Sequence, residues 1–178
     1  MSVNRYFGKK TTSQINSLTG DTQGDKVWNS DKKLYEYWTG TVWTNDDCVV
    51  LPFRGDGGAP TSISEGYIVV ADPDNNDQAV LADGTYYYNS SDMNQFVIGI
   101  VYRGGNHGDD IVIAIQGEYN IYCNGAVSSI GRALSLDATD GSANYIGAAA
   151  SDRHVGISLE TTVGAGLCKC ILQPIERY

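Results

Sequence analysis

The residues of this chain that could perform chemistry are two histidines, four cysteines and several clustered carboxylates. His107 lies in the glycine-rich sequence GGNHGDD, and His154 lies beside a predicted strand. A serine or cysteine nucleophile needs a histidine base held next to it, whereas both histidines are in settings typical of exposed loops. The P-loop, HExxH and GxSxG motifs do not occur. The sequence therefore predicts no catalytic residues and no enzyme activity.

The densest run of acidic side chains is the segment DPDNND, from Asp72 to Asp77. Its oxygen ligands would suit Ca²⁺, but it lacks the glycine and the terminal glutamate that an EF-hand loop has at fixed offsets. A solvated acidic turn is the preferred interpretation, and calcium binding by this loop stays open. Asp109 and Asp110 add to the carboxylates that a glycosidase could use. Their separation cannot be read from the sequence, so a hydrolase on a β scaffold stays open as an alternative.

The four cysteines are Cys48, Cys123, Cys168 and Cys170. Cys168 and Cys170 are at positions i and i+2 of an apolar run, so on a strand both side chains point to the same face. Zinc sites usually join a C-x₂₋₄-C pair to further cysteine or histidine ligands, and that spacing is missing. We predict buried free thiols, which behave as small hydrophobic side chains, and we expect neither a metal site nor a cofactor.

Composition and charge narrow the possible partners. Twenty-one acidic residues against 12 basic residues give the 178-residue chain a net charge of −9. Such a chain is repelled by phosphate backbones, so nucleic acid is a poor partner. No apolar run reaches the roughly 20 residues that span a membrane, and residues 1–14 lack the apolar core of a secretory signal. We expect neither nucleic acid nor a membrane as a partner.

Short runs of Val, Ile, Tyr and Trp bounded by Gly, Asn, Asp and Ser predict strands and tight turns. An approximate repeat is present, because Asp83-Gly84 and Asp140-Gly141 each precede an apolar strand with a central glycine. These central glycines are Gly99 and Gly156, each fifteen residues after the preceding Asp-Gly glycine. A glycine inside a strand marks a bulge or a close backbone approach. The predicted fold is all-β, a small β-barrel or sandwich built from two similar halves.

The sequence also predicts four parts along the chain. Residues 1–25 are polar and aperiodic, which predicts an extended arm with a short helical turn around Thr12–Leu18. Residues 26–53 contain all three tryptophans and predict a small β-meander held together by cross-strand aromatic pairs. Residues 54–64 have the composition of a linker, and residues 65–178 are assigned to the barrel domain.

Two parts of the sequence resemble phage proteins. Residues 63–172 resemble the small β-barrel decoration, or cement, proteins of tailed-phage capsids, through the successive motifs GYIVV, VLADG, VIGI and DDIVIAIQG. Members of that family bind the exterior of the major capsid lattice, commonly as trimers, and stabilise the shell. Residues 24–43 resemble a module of phage fibre and appendage proteins, through GDKVWNS, KLYEYW and TGTVW.

The resemblance implies a virion structural protein that is made in the host cytoplasm and lies on the capsid surface. Its expected partners are the major capsid protein and further copies of itself in a homotrimer. The alternative is a head-fibre or tail-fibre component that contacts host surface glycans through its tryptophans. Basic residues would meet an acidic capsid surface, and aromatic side chains are common at interfaces. The candidate interface residues are Arg5, Lys9, Lys10, Trp28, Tyr35, Tyr37, Trp38, Trp43, Tyr86, Tyr87 and Tyr88.

Overall fold

The computed structural model describes residues 5–19, 22–55, 61–72, 77–82, 97–136, 141–145 and 155–172. Nearly all regular structure in these ranges is β-strand, which confirms the predicted all-β class. The chain divides into an N-terminal unit, residues 1–49, and a C-terminal unit, residues 50–178.

The N-terminal unit is a four-stranded sheet with a short helix in the described residues. Its elements are β1 (Tyr6–Lys10), α1 (Thr12–Asn16), β2 (Lys26–Asn29), β3 (Leu34–Trp38) and β4 (Trp43–Thr44). The strand order is β1-β2-β3-β4. β1 runs parallel to β2, whereas β2–β3 and β3–β4 are antiparallel pairs. Strands β2 to β4 are the predicted meander, and β1 adds a strand to its edge.

Residues 6–10 form strand β1, although the sequence predicts an extended arm over residues 1–25. Phe7 holds this strand on the sheet, because its ring packs edge-on against that of Trp43 at a centroid distance of 5.7 Å. The segment is therefore part of the folded unit rather than a free arm.

Helix α1 connects β1 to β2 at the place where the sequence predicts a helical turn. It begins with a capping box, in which the Thr11 hydroxyl accepts from the backbone N–H of Gln14 and the Gln14 side chain accepts from the N–H of Thr11. Ile15, its buried residue, joins the core.

The core of the N-terminal unit consists mainly of large apolar side chains. Trp43 is 1% exposed, and its indole Nε1 donates a hydrogen bond of 2.7 Å to the carbonyl oxygen of Leu18. Aromatic packing therefore stabilises this small unit on its buried side. The buried residues of the cluster are Ile15, Val27, Trp38 and Trp43.

Asp25, in the motif GDKVWNS, stabilises the fold of the N-terminal unit. Its buried carboxylate accepts the backbone N–H of Arg5 at 2.7 Å and that of Thr22 at 3.1 Å. The N–H of Arg5 is the main reason why the pKa of Asp25 lies below its usual value, since it stabilises the charged form. Asp25 thus joins the start of β1 to the loop before β2.

Asn29, in the same motif, shapes the turn between β2 and β3. Its Oδ1 accepts the backbone N–H groups of Asp31 and Lys32 at 3.1 and 3.2 Å. Its Nδ2 donates to Oε1 of Glu36 across the hairpin at 2.7 Å. Both side chains are buried, so these polar residues of the fibre-like motifs specify the hairpin rather than a solvent-facing site.

The C-terminal unit contains an open sheet and a closed barrel. The open sheet has the order β5-β11-β9-β7-β8, the short strands β6 and β10 pair with each other, and the closed barrel has the order β12-β14-β13-β15-β16. The boundary between the two units follows residue 49, inside β5, which is a strand of the open sheet. It therefore comes before the predicted linker at residues 54–64. The strands are β5 (Cys48–Pro52), β6 (Ser62–Ile63), β7 (Ile68–Ala71), β8 (Ala79–Leu81), β9 (Val97–Arg103), β10 (Gly105–Asn106), β11 (Asp110–Ala114), β12 (Gly117–Cys123), β13 (Ala133–Leu136), β14 (Ala143–Tyr145), β15 (Gly156–Ser158) and β16 (Gly166–Leu172).

The sequence repeat corresponds to two antiparallel strand pairs, β9–β11 and β15–β16. A Cβ added to Gly99 would lie 2.0 Å from the carbonyl oxygen of Ala114, and one added to Gly156 would lie 2.7 Å from that of Ile171. Both glycines therefore mark a close backbone approach, as predicted. The two halves differ in closure, since only the second pair belongs to the barrel. The pair Asp83-Gly84 lies outside the described residues.

The cysteines are free thiols, and the prediction that they are buried is confirmed for three of the four and wrong for Cys48. Cys123, Cys168 and Cys170 are fully buried on the barrel strands β12 and β16, whereas Cys48 is partly exposed. Burial raises the pKa of Cys123 and of Cys170 to about 12.

We expect a thiol reagent such as DTNB, at about pH 8, to react quickly with no thiol of the native protein other than Cys48. The thiolate is the reactive form, and burial keeps the three barrel thiols protonated and out of reach. All four should react in concentrated guanidinium chloride. Rapid reaction of two or more thiols in the native protein would contradict the barrel interior described above.

Candidate interaction surfaces

The outer side of the N-terminal sheet follows from alternation along β2 and β3. Val27 is buried, so its neighbours Lys26 and Trp28 point to the opposite side of the sheet. Cross-strand pairing places Lys26 beside Tyr37. The same pairing places Trp28 beside Tyr35. We call this surface the aromatic face, and its residues are Tyr6, Lys9, Lys26, Trp28, Tyr35 and Tyr37.

A bulge at Gly8 brings Tyr6 and Lys9 onto the same side, although they are at positions i and i+3. Gly8 has a φ of 76°, and the register of β1 shifts between Tyr6 and Lys9. Because the bulge adds one residue to β1, the side chains on both sides of it point to the same face of the sheet as their partners on β2. Tyr6 pairs with Lys26. Lys9 in turn pairs with Trp28.

The rings of the aromatic face are tilted against one another. Trp28 and Tyr35 have a centroid distance of 4.8 Å and an interplanar angle of 69°. Tyr6 and Tyr35 are 6.2 Å apart at 56°. Tyr6 and Tyr35 are 59% and 58% exposed, and desolvation together with Tyr35 raises the pKa of Tyr6. The result is a ridged, rigid and amphipathic surface, of the kind that protein interfaces use.

Four of the residues predicted from the sequence lie together on the aromatic face. They are Lys9, Trp28, Tyr35 and Tyr37. Sequence reasoning missed Tyr6 and Lys26, although the alternation from Val27 could have indicated Lys26.

Trp38 and Trp43 do not lie on the aromatic face, in contrast to the prediction that they are interface residues. They are 9% and 1% exposed. Trp38 directly follows Tyr37 and so points to the other side of β3. It pairs with Trp43 across the strands, and the two rings pack together at 5.5 Å in the core.

Arg5 and Lys10 also lie away from the aromatic face. The Arg5 guanidinium is 5.4 Å from the centre of the Phe7 ring and 3.9 Å from the Asp25 carboxylate. Lys10 pairs with the buried Asn29, which places it on the inner side of the sheet. The remaining candidates, Tyr86, Tyr87 and Tyr88, lie outside the described residues.

A second exposed face lies on the outside of the barrel, along β12 and β16. These strands pair in antiparallel register from Gly117 opposite Leu172 to Cys123 opposite Gly166. Leu167 is 45% exposed, and Ile171 is 44% exposed. We call this surface the barrel face, and its residues are Glu118, Asn120, Tyr122, Leu167, Lys169 and Ile171.

Carboxylates outnumber cations on and around the barrel face. The Lys169 ammonium is 2.8 Å from Oε1 of Glu118, whose hydrogen bond raises the pKa of Lys169. The backbone N–H of Lys169 donates to Oε1 of Glu160 at 2.8 Å. Glu65 accepts from the Asn120 amide at 3.2 Å. Three carboxylates thus lie on or beside a face that has one ammonium group, and Glu118 is the one in contact with that ammonium.

The net charge is divided unequally between the units. Residues 1–49 contain six basic and six acidic side chains, and residues 50–178 contain six basic and fifteen acidic side chains. The whole net charge of −9 therefore belongs to the C-terminal unit. The aromatic face contains Lys9 and Lys26, while the nearby acids Asp25 and Glu36 are buried. The exposed Asp46 also lies near this face, since burial and the Asp46 charge together raise the pKa of Tyr37.

His107 and Asp72, two of the groups considered for chemistry, are used in structural contacts, and His154 lies outside the described residues. His107 accepts the backbone N–H of Gly55 at Nδ1, at 3.1 Å. Asp72, the first residue of the possible calcium loop, forms an ion pair of 3.0 Å with Arg54, and residues 73–76 of that loop lie outside the described residues. Among the described residues, no group of three or more His, Cys, Asp or Glu side chains is arranged to hold a metal ion. No helix in the described ranges has the length and apolar character needed to cross a membrane.

Comparison with known proteins gives a distant structural similarity. No protein-family model matches the chain, and no curated protein matches it. Among solved structures, the chain is similar to a phage head fibre. That structure is the N base of the head fibre gp8.5 of bacteriophage phi29, with 9% identity, a TM-score of 0.49, and coverage of 74% of this chain and 97% of that chain.

Proposed function

We propose that the chain is a bacteriophage virion structural protein that binds the exterior of the capsid lattice and stabilises it, without catalysis. The proposal rests on two exposed sheet faces, each of which has aromatic or aliphatic side chains beside charged groups. Protein interfaces have this composition. A subunit that joins other proteins needs more than one contact surface, and the chain has one such face on each unit. The sequence resemblance to capsid decoration proteins supports the same function.

The chain would stabilise the capsid through binding alone, without a chemical reaction. A protein that binds the assembled lattice more tightly than the separated capsid subunits shifts the equilibrium towards the lattice. A symmetric oligomer of the chain, which we propose to be a homotrimer, would repeat the same bridge at each equivalent lattice position.

Cosedimentation with capsids tests this function. Mature capsids from a phage lacking the gene are mixed with increasing amounts of the purified chain, and procapsids are the control. We expect saturable binding to mature capsids and a higher temperature of capsid disruption. A chain that stays in the supernatant at every concentration, with unchanged capsid stability, would rule the proposal out.

A head-fibre or tail-fibre role with glycan contacts is the second candidate. The partly exposed Trp28, packed beside Tyr35, could stack on a sugar ring. The burial of Trp38 and Trp43 removes the other two tryptophans from this role. Glycan-array binding that is lost in Trp28→Ala, together with absent capsid binding, would favour this candidate over a decoration protein.

A further inference from the structure

We infer that the aromatic face of one copy of the chain binds the barrel face of a neighbouring copy, head to tail. The partner is therefore a second copy of this chain. The inference rests on the homotrimer in the proposed function and names the surfaces through which its copies meet. It is tested on the purified chain without capsids, so its failure can be told apart from a failure to bind capsids.

The first support is charge complementarity. Lys9 and Lys26 are exposed on the aromatic face, and they outnumber the exposed carboxylate of Asp46 that lies near Tyr37. The barrel face and its surroundings have an excess of carboxylates, contributed by Glu65, Glu118 and Glu160. Bringing these two faces together places cations opposite anions, which favours and orients association.

The same charges disfavour the two symmetric alternatives. Contact between two aromatic faces would bring four lysines together, and contact between two barrel faces would bring excess carboxylates together in units that already contain the whole net charge of −9. Juxtaposition of like charges at an interface is unfavourable. Contact between unlike faces is therefore the favoured arrangement.

The apolar side chains of the two faces also suit each other, since one face is aliphatic and the other aromatic. The barrel face presents Leu167 and Ile171, which are 45% and 44% exposed. The tilted rings of Tyr6, Trp28 and Tyr35 provide ridges against which such aliphatic side chains can pack. An interface with an aromatic and aliphatic centre and a charged rim has the usual anatomy of a specific contact.

Because the two faces differ, each copy retains one free face after the first contact. Heterologous contacts of this type continue until they close into a ring or grow into a filament. We therefore expect species larger than a dimer as the protein concentration rises.

Sedimentation velocity of the full chain over a concentration series, at low and high salt, tests the inference. We expect association at low salt that weakens by about tenfold or more when salt screens the facing charges. Lys9→Glu/Lys26→Glu should weaken association by a similar factor. The matched control is Lys10→Glu/Lys33→Glu, which makes the same change of charge in the same unit, at Lys10 on the inner side of the sheet and at Lys33 in the turn between β2 and β3. It should associate like the native chain.

A charge-swapped chain separates lost contact from lost folding. Glu118→Lys/Glu160→Lys alone should also prevent association. Combining these changes with Lys9→Glu/Lys26→Glu in one chain should restore it, because unlike faces are again opposite in charge. Circular dichroism checks that each variant is folded. A monomer at all concentrations, or association that the aromatic-face variant leaves unchanged, would overturn the inference.

Discussion

Replacing Gly99 with alanine is expected to lower the free energy of unfolding of the C-terminal unit by about 3 kcal/mol. The added Cβ would lie 2.0 Å from the carbonyl oxygen of Ala114 and 3.0 Å from Cγ2 of Ile113. The nearest atom is backbone of the next strand and cannot rotate away, so β9 and β11 would have to separate. β9 has a paired strand on each side, and the separation would disturb the middle of the open sheet. Chemical denaturation followed by circular dichroism measures the loss.

Gly164→Ala is the matched control for this prediction. Gly164 lies in the loop before β16, where nothing is within 4 Å of an added Cβ and the backbone does not require glycine. Its substitution should change stability by less than about 0.5 kcal/mol. Gly156→Ala should fall between the two, since its Cβ would be 2.7 Å from the Ile171 oxygen. Equal denaturation midpoints for Gly99→Ala and Gly164→Ala would show that β9 and β11 are not in such close contact.

The predictable part of the fold came from local patterns. Short β-rich runs between turn residues indicated the all-β class, and a glycine inside an apolar strand indicated a close approach at both Gly99 and Gly156. The identity of the opposing atoms was not predictable, because Ala114 and Ile171 belong to neighbouring strands whose pairing depends on the whole topology.

Strand β1 was not predictable for a different physical reason. Its glycine bulge interrupts the two-residue period by which a strand is recognised. It also pairs in parallel with β2, from which α1 separates it, so no hairpin turn signals the contact. The pairing of β1 with β2 and the packing of Phe7 on Trp43 show that residues 6–10 belong to the sheet.

The candidate surfaces show the same limit. From residue type alone, Trp28, Trp38 and Trp43 were all predicted to be interface residues. Their positions along the strands place Trp28 on the outer side of the sheet and the other two in the core. Alternation shows that neighbours such as Tyr37 and Trp38 face opposite sides, but the buried side is decided by α1, which covers one face of the sheet.

The barrel face was missed because its apolar residues resemble core residues in the sequence. Leu167 and Ile171 belong to the run LCKCIL, and Cys168 and Cys170 alternate with them. In the closed barrel the cysteines occupy the interior. The larger aliphatic side chains are therefore left outside, contrary to what hydrophobicity alone suggests.

Replacing Trp43 with alanine is expected to destabilise the N-terminal unit by about 4 kcal/mol, enough to unfold a unit this small. The change removes the packing of the indole against Phe7 and Trp38 and the hydrogen bond to the Leu18 carbonyl, and it leaves a cavity in the centre of the core. Near-ultraviolet circular dichroism and denaturation followed by tryptophan fluorescence measure the effect.

Trp28→Ala is the matched control, because the same ring is lost from the aromatic face. It should cost less than about 1 kcal/mol and leave the unit folded, while association between copies weakens. If instead Trp28→Ala unfolded the unit and Trp43→Ala did not, the assignment of the inner and outer sides of the sheet would have to be reversed.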